Sequence, residues 1–468
     1  MTKTNAGVTV SQLPPVELLN EQENVAASLP ESEVERNKKL LCNVFNSVGI
    51  GVKSVKVFPG PSVSLYELTL MRRKDFSKVR NLEEDLRTGV GVKGFRLIAG
   101  KDTVGVELAN EHPCLVHLGN IIKGTDFQKT AMTLPVVMGR TATDEPLMYD
   151  LAEMSHLLVG GATGQGKTTL LNNLIISLLY KKCPEELKFV LIDPKGVEFD
   201  VYKDLGDAFL AKLPHNGNAL VTDVDASVSI LRSLRAEMDR RYDLFKKVKV
   251  HNIKEYNEKF VNHMLSNEEG HRLMPYIVAI IDEFAELVMA CGRYVELSIV
   301  RIAQQARAVG IHIIIATQRP TLNIITGNIK ANFSVRVAFR VSSIIDSRAI
   351  LDRPGAESLV GRGDMLFSTP DETVRAQCAW ADMAEVDRVV RYIHEHAGSD
   401  STFTLPEETE VHETSDPLLA EAKVYAKRAK DVTVNKLQKR YGIGYIRATR
   451  LLKQLEQAGV IKNEDNRK

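Results

Sequence analysis

The stretch HLLVGGATGQGKTT, residues 156–169, joins an apolar run to a glycine-rich loop and to the beginning of a helical pattern. Residues 161–168 match the phosphate-binding motif G-x-x-x-x-G-K-[ST], which needs a strand before it and a helix after it. Beyond the loop, one helical face collects the apolar residues Leu170, Leu171, Leu174, Ile175, Leu178 and Leu179. The stretch therefore predicts a P-loop nucleotide-binding core of the α/β class. A chance glycine-rich turn is the alternative, and the context of the motif argues against it.

This loop carries the groups that bind ATP phosphates. Glycines let backbone N–H groups surround phosphate oxygens, and the helix N-terminus adds the positive end of a dipole. We expect Lys167 to reach the β- and γ-phosphates and Thr168 to ligate Mg²⁺. The predicted ATP-binding residues are Gly161, Ala162, Thr163, Gly164, Gln165, Gly166, Lys167, Thr168, Thr169 and, from a later strand, Asp282.

Four more apolar runs predict strands of the same sheet. They are KFVLID, YIVAIID, IHIIIAT and VRVAFRV, which begin at residues 188, 276, 311 and 335. Runs that do not alternate with polar residues indicate strands buried on both faces, which favours a parallel sheet flanked by helices.

Two of these runs end in polar residues that suit catalysis. Asp282 and Glu283 follow one strand directly, and a strand so apolar is an unusual place for two unused carboxylates. We predict that Asp282 joins Thr168 as a metal ligand and that Glu283 polarises the attacking water. Gln318 follows the run IHIIIAT and is predicted to sense the γ-phosphate. The alternatives are a solvated strand end for the acids and a simple strand cap for Gln318.

The flanking sequence predicts further domains. Residues 1–38 are expected to form a disordered tail, and residues 39–132 a small α+β domain with strands in VKSVKVFPGPSVSLYELTL. The ATPase core is expected at residues 133–397 and an acidic linker at residues 398–416. Residues 417–468 hold 13 Lys and Arg against 5 Asp and Glu, and they predict a helix-turn-helix. Its second helix carries Arg447, Arg450 and Lys453 on one face, which suits a DNA groove or, alternatively, a protein contact.

Composition and hydropathy limit the possible cellular location of the protein, but they do not indicate its function. The chain has 61 Lys and Arg against 60 Asp and Glu, so its overall charge does not indicate nucleic acid. The five cysteines are far apart, which argues against a zinc knuckle or a disulfide framework. No apolar run is long enough to span a bilayer, and no signal-peptide pattern is present. We therefore expect a cytoplasmic protein with no membrane segment.

Several strings together resemble the FtsK/SpoIIIE family of DNA-pumping motors. They include VLIDPKGVEF, VAIIDEFAEL, RIAQQARAVGIHIIIATQRP, IIDSRAILDRPGAESLVGRGDMLF and IGYIRATRLLKQLEQAGVI, and the similarity covers about residues 41–461. The resemblance implies a small α domain, a RecA-like β domain and a winged-helix γ domain, with a homo-hexameric ring around double-stranded DNA. It implies that Arg307 acts as the arginine supplied to a neighbouring subunit. It also implies DNA-backbone contacts by the residues Arg319, Lys330 and Arg348, for which structural ion pairing is the alternative.

The chain departs from the family pattern at four places. It has a short polar tail where septal members carry membrane helices, which favours a soluble form. Ile344 stands where a pore-loop lysine is common, and Ile446 stands where an asparagine precedes the arginine of the recognition helix. The end of the chain, NEDNRK, leaves a short wing, so a recombinase partner is not inferred. The main rival function is a coupling or secretion ATPase that moves protein or single-stranded DNA.

Overall fold

The computed structural model describes most of the chain. The described residues are 2–3, 9–10, 13–20, 29–72, 78–79, 82–92, 94–100, 103–154, 156–213, 220–396, 402–407, 418–429, 432–443, 448, 451–452, 454–456 and 458–461. They form two compact units, residues 1–406 and residues 407–468. No helix within these ranges combines the length and the apolar character needed to cross a membrane.

The first unit begins with a small α+β layer. Strands β1 (Thr2–Lys3) and β2 (Thr9–Val10) pair with each other. Helix α1 (Glu31–Ser47) and helix α2 (Glu83–Val90) cover an antiparallel sheet of β3 (Val52–Phe58), β4 (Val63–Leu70), β5 (Arg96–Ala99) and β6 (Val104–Ala109), in the order β3-β4-β6-β5. Their shared core includes Phe45, Tyr66 and Leu108, all buried.

Helix α1 begins inside the segment that sequence reasoning assigned to a disordered tail ending at residue 38. Its first turn carries Glu31 and Glu33, which the helix dipole favours. Glu33 is buried and accepts a hydrogen bond from the backbone N–H of Glu111 at 3.1 Å. Asn37 donates to the Tyr66 hydroxyl at 3.0 Å. Polar residues in this helix are thus held by specific tertiary partners, which composition alone does not reveal.

A ten-stranded sheet forms the centre of the first unit. Its order is β12-β10-β13-β14-β9-β15-β16-β17-β7-β8. In chain order these strands are β7 (Pro135–Thr141), β8 (Pro146–Asp150), β9 (His156–Gly160), β10 (Leu187–Ile192), β12 (Leu220–Val221), β13 (Tyr276–Ile281), β14 (Ile311–Thr317), β15 (Val335–Phe339), β16 (Asp364–Ser368) and β17 (Thr373–Cys378). A separate two-stranded pair joins β11 (Ala211–Lys212) to β18 (Phe403–Thr404).

Helices cover the large sheet. They are α3 (Leu118–Lys123), α4 (Thr125–Gln128), α5 (Leu151–Met154), α6 (Lys167–Leu179), α7 (Gly206–Phe209), α8 (Val224–Val248), α9 (Ile253–Val261), α10 (Phe284–Cys291), α11 (Arg293–Gln305), α12 (Gly327–Asn332), α13 (Ile344–Leu351) and α14 (Met383–His396). Short 3₁₀ turns lie at Val16–Leu18, Asp200–Leu205, Asn267–Glu269 and Ala356–Ser358.

The sheet is parallel only in part. Strands β12, β10, β13, β14, β9 and β15 run parallel, and all five apolar runs singled out in the sequence lie among them. Strands β16, β17, β7 and β8 then extend the sheet in antiparallel pairing. The predicted parallel sheet is therefore present, and an antiparallel extension is added to it.

A buried ion cluster joins the small sheet to the large one. Arg375 of β17 forms salt bridges with Asp364 at 2.7 Å and with Glu107 of β6 at 3.3 Å. It also donates to the backbone carbonyl of Gly94 at 2.6 Å. Because losing one partner of a buried pair leaves an uncompensated charge, this cluster fixes the two sheets in one arrangement.

The second unit contains the helices α15 (Leu419–Arg428) and α16 (Val434–Tyr441). Its core includes Ala422, Leu437, Ala448, Leu451 and Leu455. Helix α16 ends at Gly442, whose φ of +62° is the left-handed conformation common after a helix. The predicted DNA-contact residues Arg447, Arg450 and Lys453 lie outside the described residues.

Candidate active site

The glycine-rich loop connects β9 to α6 at the carboxyl end of the parallel strands. Gly164 and Gly166 have φ values of +73° and +124°, which residues with a Cβ rarely adopt. A Cβ on Gly166 would lie 2.8 Å from the ring of Phe339. The loop can therefore bring its backbone close to a ligand only with glycine at these positions, as the motif requires.

Lys167 lies at the beginning of α6 and is buried. Its Nζ donates to the backbone carbonyl of Asp282 at 2.7 Å and lies 3.0 Å from Asp282 Oδ1. Glu283 Oε2 is 3.9 Å from the same nitrogen. Strand β14 lies between β9 and β13 in the sheet, so the loop and the two acids meet across the ends of three neighbouring strands.

The carboxylate of Asp282 is buried and incompletely satisfied. Apart from the ion pair with Lys167, neither oxygen accepts a hydrogen bond of good geometry from a described residue. Burial raises the pKa of Asp282, although Lys167 acts in the opposite direction. Oxygen atoms of this kind suit a hard cation, because Mg²⁺ prefers carboxylate, hydroxyl and water oxygens. Asp282 and Thr168 therefore fit the predicted Mg²⁺ ligands.

Glu283 is the N-cap of α10 and is almost fully buried. Its Oε1 accepts a hydrogen bond from the Thr317 hydroxyl at 2.7 Å. The backbone N–H of Gln318 lies 3.1 Å from Oε2 and 3.2 Å from Oε1. These bonds attach the acid to the end of β14, so the two predicted catalytic strand ends are directly connected.

Gln318 faces the glycine-rich loop. Its Oε1 accepts a hydrogen bond from the Thr163 hydroxyl at 2.6 Å. Gln318 is therefore in contact with the loop that is predicted to hold the phosphates, and its role as a γ-phosphate sensor stays a prediction.

A cleft of about 480 Å³ lies over the loop. Thr163, Gly164, Lys167, Thr168, Thr169 and Gln318 are among its lining residues. The lining also includes residues that sequence reasoning did not select, among them Leu115, Glu198, Arg362 and Trp380. Arg362 has a φ of +52°, between two glycines that also have positive φ, and the N–H of Gly363 donates to the Gln165 carbonyl at 2.9 Å. A non-glycine residue held in this conformation by its surroundings is compatible with a role in ligand binding.

Arg307 lies near the amino end of the parallel strands, on the side opposite the glycine-rich loop. It is exposed and precedes β14, whereas the glycine-rich loop follows the end of β9. Burial lowers the pKa of His156, the first residue of β9, to about 3, and the charges of His312 and Arg307 contribute to this decrease. Arg307 is thus close to the beginning of β9, and a strand of this length separates it from the loop by roughly 15 Å.

The three predicted DNA-contact residues of the first unit have different surroundings. Arg319 and Arg348 are exposed, and neither forms an ion pair with a described residue. Lys330 is instead paired with Asp352 at 2.6 Å, and Arg336 binds the same carboxylate at 2.5 Å. The structure therefore places Lys330 in an ion cluster, the alternative considered for it, and leaves two cations facing solvent.

Family comparisons cover nearly all of the chain. Residues 117–322 match the FtsK/SpoIIIE family, residues 13–110 the FtsK alpha domain and residues 413–468 the FtsK gamma domain. A protein named DNA translocase FtsK from Chlorobaculum tepidum is 39% identical over 98% of this chain and 58% of its own length. One of the same name from Listeria monocytogenes is 39% identical over 97% of this chain and 60% of its own length. The chain thus spans about three fifths of these relatives.

A solved structure shares the fold. The pCW3 conjugation coupling protein TcpA, in its monomer form with ATPγS, has a TM-score of 0.52 and 23% identity. The match covers 76% of this chain and 99% of that one. This likeness supports the P-loop fold of the first unit. The gamma-domain match assigns the second unit to the winged-helix class.

Proposed function

The chain belongs to the FtsK/SpoIIIE family, and we propose that it is an ATP-hydrolysing motor that moves along double-stranded DNA as a hexameric ring. The observation that carries the proposal is the contact between Gln318 and Thr163, because it connects the loop for the phosphates to the residue before Arg319. One strand end thus joins a nucleotide sensor to an exposed cation. The proposal includes a small α+β domain that begins with α1, an ATPase domain built on the large sheet, a winged-helix domain at residues 417–468, and a cytoplasmic setting where ATP and DNA are both present.

ATP would bind in the cleft over the glycine-rich loop. Lys167 would bind the β- and γ-phosphates, and the backbone N–H groups of the loop would surround them. Thr168 and Asp282 would hold Mg²⁺, which neutralises phosphate charge when bound. The buried, unsatisfied oxygens of Asp282 support this role.

Hydrolysis would depend on Glu283 and Gln318. Glu283 would orient and deprotonate the water that attacks the γ-phosphorus, since it lies within 3.9 Å of the lysine nitrogen. Gln318 binds Glu283 through its backbone and Thr163 through its side chain, so loss of phosphate would alter both contacts. This change would reach Arg319, the next residue along the chain.

Arg307 would complete the active site of a neighbouring subunit. Its position at the far edge of the sheet prevents it from reaching the loop of its own chain, which supports a role in trans. An arginine supplied in this way contributes about 10³- to 10⁵-fold to phosphoryl transfer in related reactions.

DNA contact would come from cations on the phosphate backbone. Arg319 and Arg348 are available for it, and contacts to phosphate carry affinity without sequence preference. Arg447, Arg450 and Lys453 of the second unit would add DNA contacts of the winged-helix type.

Triplex displacement on double-stranded DNA tests this function. We expect ATP-dependent displacement by the chain and none by the Lys167→Ala variant, because the lysine binds the phosphates that are cleaved. ATP hydrolysis should rise when long duplex is added. The matched control is Lys182→Ala, a lysine paired with Glu186 at 3.1 Å and distant from the loop. Stimulation by single-stranded DNA alone, without displacement, would instead support a coupling-type ATPase.

A further inference from the structure

The loop after β10 is built around one buried acid. Asp193 is fully buried, and its carboxylate accepts hydrogen bonds from the backbone N–H groups of residues 195–199, at distances between 2.8 and 3.2 Å. Five such bonds to one side chain fix the backbone of the loop. The position of the backbone at Glu198 is therefore determined by the fold.

Glu198 points from this loop into the nucleotide cleft. It lines the cleft together with Lys167 and Thr168 and is partly buried. Burial raises the pKa of Glu198, the charge of Asp282 adds to this increase, and Lys167 and the Thr168 side chain oppose it. Glu198 and the predicted Mg²⁺ ligand Thr168 therefore line the same cleft.

The other acids of the site are differently arranged. Glu283 is held at the end of β14 by hydrogen bonds from the Thr317 hydroxyl and the Gln318 N–H. Asp282 is buried, and apart from its ion pair with Lys167 its oxygens accept no hydrogen bond of good geometry from a described residue. An incompletely satisfied carboxylate beside a phosphate loop suits a cation, and Glu198 is an acid that lines the cleft over the same loop.

We propose that Glu198 is an outer ligand of the Mg²⁺ ion at Thr168 and Asp282, where it accepts hydrogen bonds from metal-bound water. Mg²⁺ usually retains several waters when it binds through one or two protein oxygens and substrate phosphates. Groups that hold such waters orient the inner ligands and raise the affinity for metal. This inference rests on the proposed nucleotide site and adds a residue to it.

This role predicts that the effect of Glu198 on nucleotide binding depends on whether Mg²⁺ is present. With Mg²⁺, the carboxylate of Glu198 stabilises the metal–nucleotide complex. Without Mg²⁺, the same negative charge repels the phosphates. Removing the charge of Glu198 therefore weakens nucleotide binding with Mg²⁺ and leaves it equal or tighter without Mg²⁺. A residue that only supports the loop would affect both conditions alike.

The test compares Glu198→Gln with the unchanged chain by calorimetric titration of a non-hydrolysable ATP analogue, in Mg²⁺ and in EDTA. We expect the gain in affinity from Mg²⁺ to fall about 10- to 100-fold in the variant. Binding in EDTA should stay equal or tighten, which also shows that the variant is folded. Asp200→Asn is the matched control, since Asp200 follows in the same segment and pairs with the exposed Lys203 at 3.0 Å. Direct titration with Mn²⁺ in the presence of the analogue should show the same loss of metal affinity.

Two outcomes would overturn the role of Glu198. One is an unchanged gain from Mg²⁺ in Glu198→Gln, and the other is an equal loss of affinity in Mg²⁺ and EDTA. Either result leaves the proposed function in place as long as the unchanged chain binds the analogue. If the unchanged chain binds no nucleotide, or binds it without help from Mg²⁺, the proposed nucleotide site itself fails.

Discussion

Glu283 makes two kinds of structural contact at the end of β13. It caps α10 and accepts hydrogen bonds from the Thr317 hydroxyl and the Gln318 N–H. A glutamine at this position retains a carbonyl oxygen for these donors, but it cannot take a proton from water. The hydrogen-bonding role and the chemical role of this residue can therefore be separated by one substitution.

We predict that Glu283→Gln keeps ATP affinity and lowers kcat for ATP hydrolysis by about 10²- to 10⁴-fold, the usual contribution of a general base. Phosphate release at saturating ATP measures kcat, and equilibrium titration measures binding. Glu286→Gln, one turn along α10, serves as the control and should behave like the unchanged chain. An unaltered kcat in Glu283→Gln would show that another group activates the water.

At the same scale, sequence predicted the residues that belong to a contiguous motif or a strand end. Lys167, Thr168, Asp282 and Gln318 could be selected because each follows a recognisable apolar run. Glu198, Arg362 and Trp380 could not, since they meet only when the chain folds. The sequence still contained one signal: the glycines on both sides of Arg362 mark a segment with unusual backbone conformation.

The strands also differ in whether the sequence predicted them. The buried parallel strands were predictable because both faces are covered by helices, which gives continuous apolar runs. The antiparallel strands β16 and β17 were not predicted, although residues 369–372 between them contain the turn residues Pro370 and Asp371. Direction of pairing depends on the length of the connection, and a run of apolar residues contains no information about it.

The basic residues proposed to contact DNA fall into two classes, according to whether an acidic residue pairs with them. Lys330 and Arg336 both bind Asp352, the residue after α13. Burial raises the pKa of Asp352, but hydrogen bonds from these two cations outweigh it and hold the pKa below its usual value. Arg319, beyond β14, has no comparable acidic partner among the described residues. The two positions therefore differ in what a substitution would remove.

We predict that Arg319→Ala weakens binding to duplex DNA and reduces the slope of log affinity against log salt concentration by about one, since one phosphate contact is lost. Lys330→Ala should leave that slope closer to the unchanged value and should instead lower thermal stability, because Asp352 loses a partner. Fluorescence anisotropy across a salt series and thermal melting measure the two effects. Equal reductions of the slope in both variants would indicate that Lys330 leaves Asp352 to bind DNA.

The residues proposed for hydrolysis lie at opposite ends of the parallel strands of one sheet. Lys167, Asp282 and Gln318 lie at the carboxyl end of the parallel strands, whereas Arg307 precedes β14 at the other end. Under the proposed mechanism, a single chain presents the phosphate-binding loop at one end of the strands and Arg307 at the other. Copies arranged in a ring would bring these two ends together, which the isolated chain cannot do.

We predict that Arg307→Ala and Lys167→Ala chains are each nearly inactive alone and regain duplex-stimulated ATP hydrolysis when mixed. In the mixture, some interfaces pair an intact Lys167 from one chain with an intact Arg307 from its neighbour. Arg301→Ala, an exposed arginine of α11 that pairs weakly with Asp239 at 4.0 Å, is the control and should remain active without mixing. Steady-state hydrolysis across mixing ratios measures the rescue, which should be greatest near equal amounts. If mixing restores nothing while both variants still assemble, Arg307 acts within its own chain, and the separation across the sheet must close by a movement of β14.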